Sequence, residues 1–249
     1  MSLSVTGAFL NAIGILLGGL WGLALRKPLS LRVQVFFRSA LGLSTVFFGL
    51  RLVWLSLGGT FLSVLEQILI ALFAVTAGFW IGKLLRLQKW SNRLGRLAGN
   101  VIAPAQPNTP RNAGDGLAAC TVLFCAAPLG WLGAVADGLS DYFWLLAVKA
   151  VMDAMAMTSF VKIFRWPAAL SAFPVLVLLG GIALVCRLYA APFLEAHSLP
   201  GHNLIDAVNA AAGFIACAVV LVIFEVRKVE LANFLPCLAV APLLTWLFR

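Results

Sequence analysis

Charge is what this chain of 249 residues has least of: lysine, arginine, aspartate and glutamate make up 11% of it. That is too little to cover the surface of a soluble domain of this length, so a water-soluble globular protein is excluded. Histidine is scarcer still, with His197 and His202 falling in one short polar stretch beside Pro200 and Gly201. Two histidines can ligate a metal, but solvated loop residues are the expectation here. No HExxH pair and no nucleophile motif occurs, so neither an enzyme nor a cofactor is expected. The five cysteines, Cys120, Cys125, Cys186, Cys217 and Cys237, lie inside apolar runs without the paired spacing of a zinc site, and read as small hydrophobes. The beginning, MSLSVTGAF, lacks the positive region of a signal peptide, and Arg26 and Lys27 come after the apolar run. The first apolar segment is therefore expected to stay as a helix with its N-terminus outside.

What the chain has in quantity is hydrocarbon: 62% of its residues are hydrophobic and its mean hydropathy is +1.02. This composition predicts an all-helical, polytopic membrane protein whose main partner is the lipid bilayer. A net charge of +9 raises nucleic acid as a partner, but the bases lie in short loops between apolar runs, and nucleic-acid binding is rejected. Eight apolar segments stand out, at 4–25, 34–56, 60–83, 115–136, 142–164, 168–190, 204–224 and 230–248. Each is near the roughly 20 residues that span a bilayer. Loops after the odd-numbered segments carry Arg26, Lys27, Arg32 and Arg38, then many bases between Lys83 and Arg111, then Lys162 and Arg165, then Arg227 and Lys228. The loops after segments two, four and six are read as holding no lysine or arginine, with Asp137, Asp141, Glu195, His197 and His202 instead. The alternation predicts about eight spans with both termini outside the cytoplasm.

Segment five carries Lys149 and Asp153 near its middle, Asp153 eleven residues past Tyr142, about 16 Å at the helical rise. A charge at bilayer depth costs about 2.5 to 3.5 kcal/mol on insertion scales, so such residues face protein or a wet cavity and are paired. Four residues apart, the two share a helix face and can neutralise each other. Ala150, Ala154 and Ala156 around them leave room for a close neighbour. In segment one Gly7, Asn11, Gly14, Gly18 and Gly22 recur at helical spacing, which predicts a close helix contact, within the chain or in a homodimer. Asn11 on that face either ties two helices together or touches a permeating solute. Arg51 and Glu66 are placed either to pair across the turn 57–60 or, for Arg51, to reach the membrane interface.

Leu87, Trp90, Leu94, Leu97 and Val101 alternate with Lys89, Asn92, Arg93 and Arg96, which predicts a basic amphipathic helix on the cytoplasmic leaflet. A polar, proline-bearing linker follows at 103–114, so that 87–114 divides a single membrane domain, 1–249, into three spans and five. The two parts share short matches: LLGG at 16–19 and 178–181, ALG at 40–42 and AAG at 211–213, and Ala-Val at 74–75 and 239–240. Five segments separate the partners, so an inverted repeat of segments one to three against six to eight is expected, as in many secondary transporters. Breaks point the same way, with Pro128 amid small residues in segment four, Pro174 at the start of segment six, and Asn233, Pro236 and Pro242 in segment eight.

The runs TGAFLNAIGILLGGLWG, LFCAAPLGWLGAVADGL, KAVMD, AFPVL and KVELANFLPCLAVAPLL, in that order, resemble the bacterial inner-membrane family catalogued as domain of unknown function 554. The likeness covers nearly the whole chain and rests on Asn11, Gly18, Gly133, Gly138, Lys149, Asp153, Pro174, Gly213, Asn233, Pro236 and Pro242. It implies a polytopic inner-membrane protein and brings no substrate with it. The chain departs from the family's pattern at Ala127-Pro128-Leu129, where glycine-alanine-methionine is usual, and at Leu179, where a polar residue is usual. Two functions remain open. One is a secondary transporter or permease for a small solute or ion, with Lys149 and Asp153 as a gated or proton-coupled pair, Asn11, Asn209 and Asn233 as polar ligands, and Pro128 at the helix break. The other is a non-transporting scaffold or sensor in which the pair and the glycine faces specify packing.

Overall fold

The computed structural model describes residues 5–25, 30–102, 113–198, 203–226 and 229–248. The loop bases Arg26, Lys27, Arg111, Arg227 and Lys228, the stretch 103–112 of the expected linker, and Pro200, Gly201 and His202 lie outside them. Every described element is helical. In order they are α1 (Thr6–Ala24), α2 (Leu31–Leu55), α3 (Phe61–Leu84), α4 (Leu87–Ile102), α5 (Ala113–Cys125), α6 (Pro128–Ser140) and α7 (Trp144–Phe164), followed by α8 (Ala172–Val185), α9 (Ala191–Ala196), α10 (Leu204–Ile223) and α11 (Cys237–Leu247). A 3₁₀ turn, Trp166–Ser171, leads into α8, a π turn, Cys186–Ala190, joins α8 to α9, and a second 3₁₀ turn, Leu231–Phe234, precedes α11.

The helices are built inside out relative to a soluble protein. Phe61 and Leu84 are 85% and 83% exposed, and Trp54 and Val177 nearly as much, while glycine and alanine fill the contacts between helices. Such a surface is stable where hydrocarbon, not water, surrounds it, so the chain is a membrane protein. Among the described residues six helices are long and apolar enough to cross a bilayer: α1, α2, α3, α7, the run Trp166–Ala196, and α10. The bent pair α5–α6 raises this to seven if it counts as one span. The eighth expected segment is the shorter apolar stretch Leu231–Leu247.

Helix directions identify the bent pair. Gly7, Gly14, Gly18 and Gly22 of α1 meet Leu146, Ala150, Ala154 and Thr158 of α7 in the same order, so these two helices run the same way. If α2 and α3 each cross once between them, as their length and apolarity allow, this parallel run favours α5–α6 as a broken span over a re-entrant loop. The remaining contacts obey the same alternation. Gly42 and Gly49 of α2 meet Phe224 and Gly213 of α10, and Gly78 and Gly82 of α3 meet Cys237 and Asn233, so both pairs are antiparallel.

Two expectations change. Asp137 is not a loop residue: it lies inside α6, 1% exposed, and its Oδ2 accepts the Gly7 backbone N–H at 3.0 Å. The first turn of α1 has no side-chain cap of its own, and a carboxylate from another helix does what a cap would do. Arg51 and Glu66 do not pair; Arg51 lies 5.9 Å over the Trp144 ring, and the α2–α3 turn is closed by Gln67, which donates to Gly58 O at 2.9 Å and accepts from Gly58 N at 3.2 Å. Between α6 and α7, Tyr142 donates to Phe48 O at 2.7 Å. Burial pushes its hydroxyl up to about 12 against the opposing pull of Arg51, so it remains a neutral donor.

Candidate functional site

The site begins with how closely α1 approaches α7. A Cβ on Gly14 would stand 2.7 Å from the Ala150 carbonyl oxygen, and one on Gly18 would collide with the backbone of Ala154. Only hydrogen fits at these positions, and the two backbones touch as small-residue faces allow in lipid. The glycine face is thus occupied within the chain. This approach brings Asn11, fully buried, beside Asp153. Its amide meets no partner at ideal hydrogen-bond geometry but lies within reach of the Asp153 carboxylate.

Asp153 stands nine residues from the start of α7 and eleven from its end. Lys149 Nζ donates to its Oδ2, and the two residues are 1% and 6% exposed. Three elements wrap the lysine. Its stem lies across Gly130 of α6, where a Cβ would come within 2.7 Å of Cε, and Leu179 of α8 borders the same spot. Its ammonium is 5.8 Å from the centre of the Phe124 ring in α5, within the range of a cation–π attraction. Leu179, where the resemblance leads one to expect a polar residue, therefore adjoins the ion pair.

Pro128 opens α6 at its first turn, and α5 and α6 meet at 62°. Proline has no N–H and cannot continue the ladder of α5. The carbonyl of Cys125, left at the break, accepts the Trp131 indole N–H at 2.9 Å. Ala126 and Ala127 at the break line an open cavity of about 1200 Å³ that reaches Asp153, Met152 and Ala156 of α7. Its far wall is the polar face of α4, with Lys89, Asn92, Arg93, Arg96 and Asn100, while Trp90 and Leu97 of that helix point outward. A smaller cavity of about 250 Å³, lined by Gly58, Gln67, Asn203 and Asp206 among others, lies by the α2–α3 turn at the opposite end of the molecule.

Of the residues singled out in the sequence, Lys149, Asp153 and Asn11 come together, and Pro128 makes the break beside them. Asn209 is buried in α10 with its Oδ1 unpartnered and does not line the larger cavity. Asn233 holds α4 in place: its Oδ1 accepts from Gln88 N at 3.0 Å and its Nδ2 donates to Glu230 at 2.7 Å, while Gln88 Oε1 accepts from Ala232 N at 3.2 Å. Sequence reasoning missed Asp137, whose signal is the shared face of Gly130, Gly133 and Asp137. It also missed the cavity wall, whose signal is the three- and four-residue spacing of Lys89, Asn92, Arg93, Arg96 and Asn100.

A family model described as "Protein of unknown function (DUF554)" matches residues 6–246. The chain is 26% identical over 242 residues to the uncharacterized protein YqgA of Escherichia coli strain K12, covering 95% of this chain and 94% of that one. It is 21% identical over 243 residues to the uncharacterized membrane protein YdfK of Bacillus subtilis strain 168, covering 98% and 96%. No solved structure matches.

Proposed function

Because the chain belongs to the DUF554 family and is a membrane protein, we propose that it is a secondary transporter or permease for a small solute or ion, with Lys149 and Asp153 as its coupling pair. The observation that carries this reading is a buried ion pair midway along a spanning helix, opening onto a cavity through Asp153, with the amide of Asn11 beside it. An ionisable residue at membrane depth is by default a candidate for a solute or proton path. Protonating Asp153 removes the partner of Lys149 and frees the ammonium for a solute, and deprotonation restores the pair; this exchange couples a proton to a solute. Asn11 supplies a donor and an acceptor at the same depth.

Helix arrangement supports the reading. The expected repeat partners touch and run in opposite directions, α1 against α8, α2 against α10 and α3 against α11, as an inverted repeat around a midplane site requires. A scaffold accounts for the buried pair, the glycine contacts and the Asn11 amide beside Asp153, but leaves the cavity without a role. In a bacterial inner membrane the end carrying Arg32, Arg38, Lys83, Arg86 and Arg165 faces the cytoplasm, which puts both termini outside. Proteoliposomes with a trapped pH dye and a potential dye test the reading. Flux under an imposed gradient is expected from the native chain and not from Asp153→Asn, which keeps the shape of the side chain but cannot ionise. Native-level flux from a folded Asp153→Asn protein would remove the coupling role.

A further inference from the structure

We infer that the cavity between α4 and the α5–α6 break is an anion-binding vestibule, and that its ligand is a small anion bearing carboxylate or phosphate. The inference deepens the transport reading and rests on it for the ligand's route to Lys149, while the binding itself can be measured without flux. Charge is its first support. Lys89, Arg93 and Arg96 all line the cavity. The nine aspartates and glutamates of the chain all lie among the described residues, and none forms an ion pair with these three bases. Among the described residues that line the cavity Asp153 is the one carboxylate, and Lys149 already neutralises it. Arg93 also lies 5.6 Å over the Trp90 ring, a contact that leaves its charge in place, and a wall carrying three cations with no carboxylate paired to them attracts an anion and repels a cation.

Orientation is the second support. A basic amphipathic helix whose sole task is to lie on a leaflet has no need of a protein wall opposite its charged face. Here that face is turned onto the broken span and is held there by the hydrogen bonds between Gln88 and the Leu231–Phe234 turn. Opposite it stand Ala126 and Ala127 at the break, small residues that leave the space between the two walls open. On the α4 side, arginine offers the paired donors that carboxylate and phosphate accept. Asn92 and Asn100 add neutral donors. About 1200 Å³ is ample for a metabolite-sized anion, since ligand clefts run from about 300 to 1,000 Å³.

The full chain in nanodiscs of phosphatidylcholine, titrated at fixed ionic strength with inorganic phosphate, succinate, choline or glucose and followed by calorimetry, tests the site. Saturable binding of phosphate or succinate, with none of choline or glucose, is expected. Arg93→Gln with Arg96→Gln should weaken it by about tenfold or more, whereas the corresponding double lysine variant should retain most of it. Both arginines are exposed, so these variants should fold, and an unchanged melting temperature checks this. Absence of saturable binding by both anions, or equal affinity in the double glutamine variant, overturns the inference. Repeating the titration in phosphatidylglycerol nanodiscs separates the sources of the anion. Loss of the phosphate and succinate signal assigns the site to lipid headgroups, and its persistence assigns it to free solutes. Anion binding without flux in liposomes would keep the vestibule and remove the transporter; flux without anion binding would do the reverse.

Discussion

Lys149 and Asp153 are held where each charge is tolerable because of the other. Removing one partner from a buried pair leaves an uncompensated charge and costs about 3 to 5 kcal/mol, whereas replacing both with apolar groups is often neutral or favourable. Lys149→Ala is therefore expected to lower the melting temperature markedly, and Lys149→Met combined with Asp153→Leu to recover much of the loss, with any flux measured for the native chain abolished in both. Thermal melting in one detergent decides this. A double variant no more stable than the single one would mean that the lysine stem across Gly130, not its charge, holds the site together. The pair was legible in the sequence because a four-residue spacing on an apolar helix is a local pattern. Asn11 was legible as a polar residue on a glycine face, but its neighbour was not.

Two elements give the site its shape, the broken span and α4. At the break the proline chemistry is local, so the interruption could be read from Pro128; the 62° bend and the capture of the Cys125 carbonyl by Trp131 could not. α4 was readable as an amphipathic helix from its periodicity, yet where its polar face points depends on Asn233, 145 residues away in sequence from Gln88. Asn233→Ala removes the acceptor for the Gln88 N–H, and the loss of such a cap costs about 0.5 to 2 kcal/mol. Hydrogen exchange is expected to quicken in α4 by roughly tenfold, with α1 and α7 unaffected. Uniform protection across the variant would show that α5, which also packs on α4, suffices to hold it.

At the scale of the whole molecule, the two ends differ in charge. Arg32, Arg38, Lys83, Arg86, Lys89, Arg93, Arg96 and Arg165 gather at the end where α3 passes into α4. The other end carries Asp141, Glu195 and the α2–α3 turn, and its Arg187 is paired with Asp141. The vestibule should therefore open to the cytoplasm. Gly58 and Gly95 both have open space where a side chain would project, and the native cysteines are buried or half-buried within helices. An impermeant thiol reagent applied to intact cells should label Gly58→Cys, and should label Gly95→Cys after permeabilisation alone. The reverse pattern would turn the molecule over and put the vestibule outside.

Class, helical content and the rough positions of the spans were determined by the sequence itself, because they depend on composition, on apolar length and on proline and glycine, which act within a turn or two of where they stand. The tertiary structure alone decided which side chains meet. Asp137 reaches Gly7 across 130 positions, Gly130 makes room for Lys149, and Leu179 borders both. Hydropathy could not indicate these pairings. In a soluble protein the apolar face marks the interior, whereas in lipid both faces of a helix are apolar, and helices are sorted by the fit of small residues and by a few polar contacts. Those are properties of surfaces brought together, so they appear once the chain is folded.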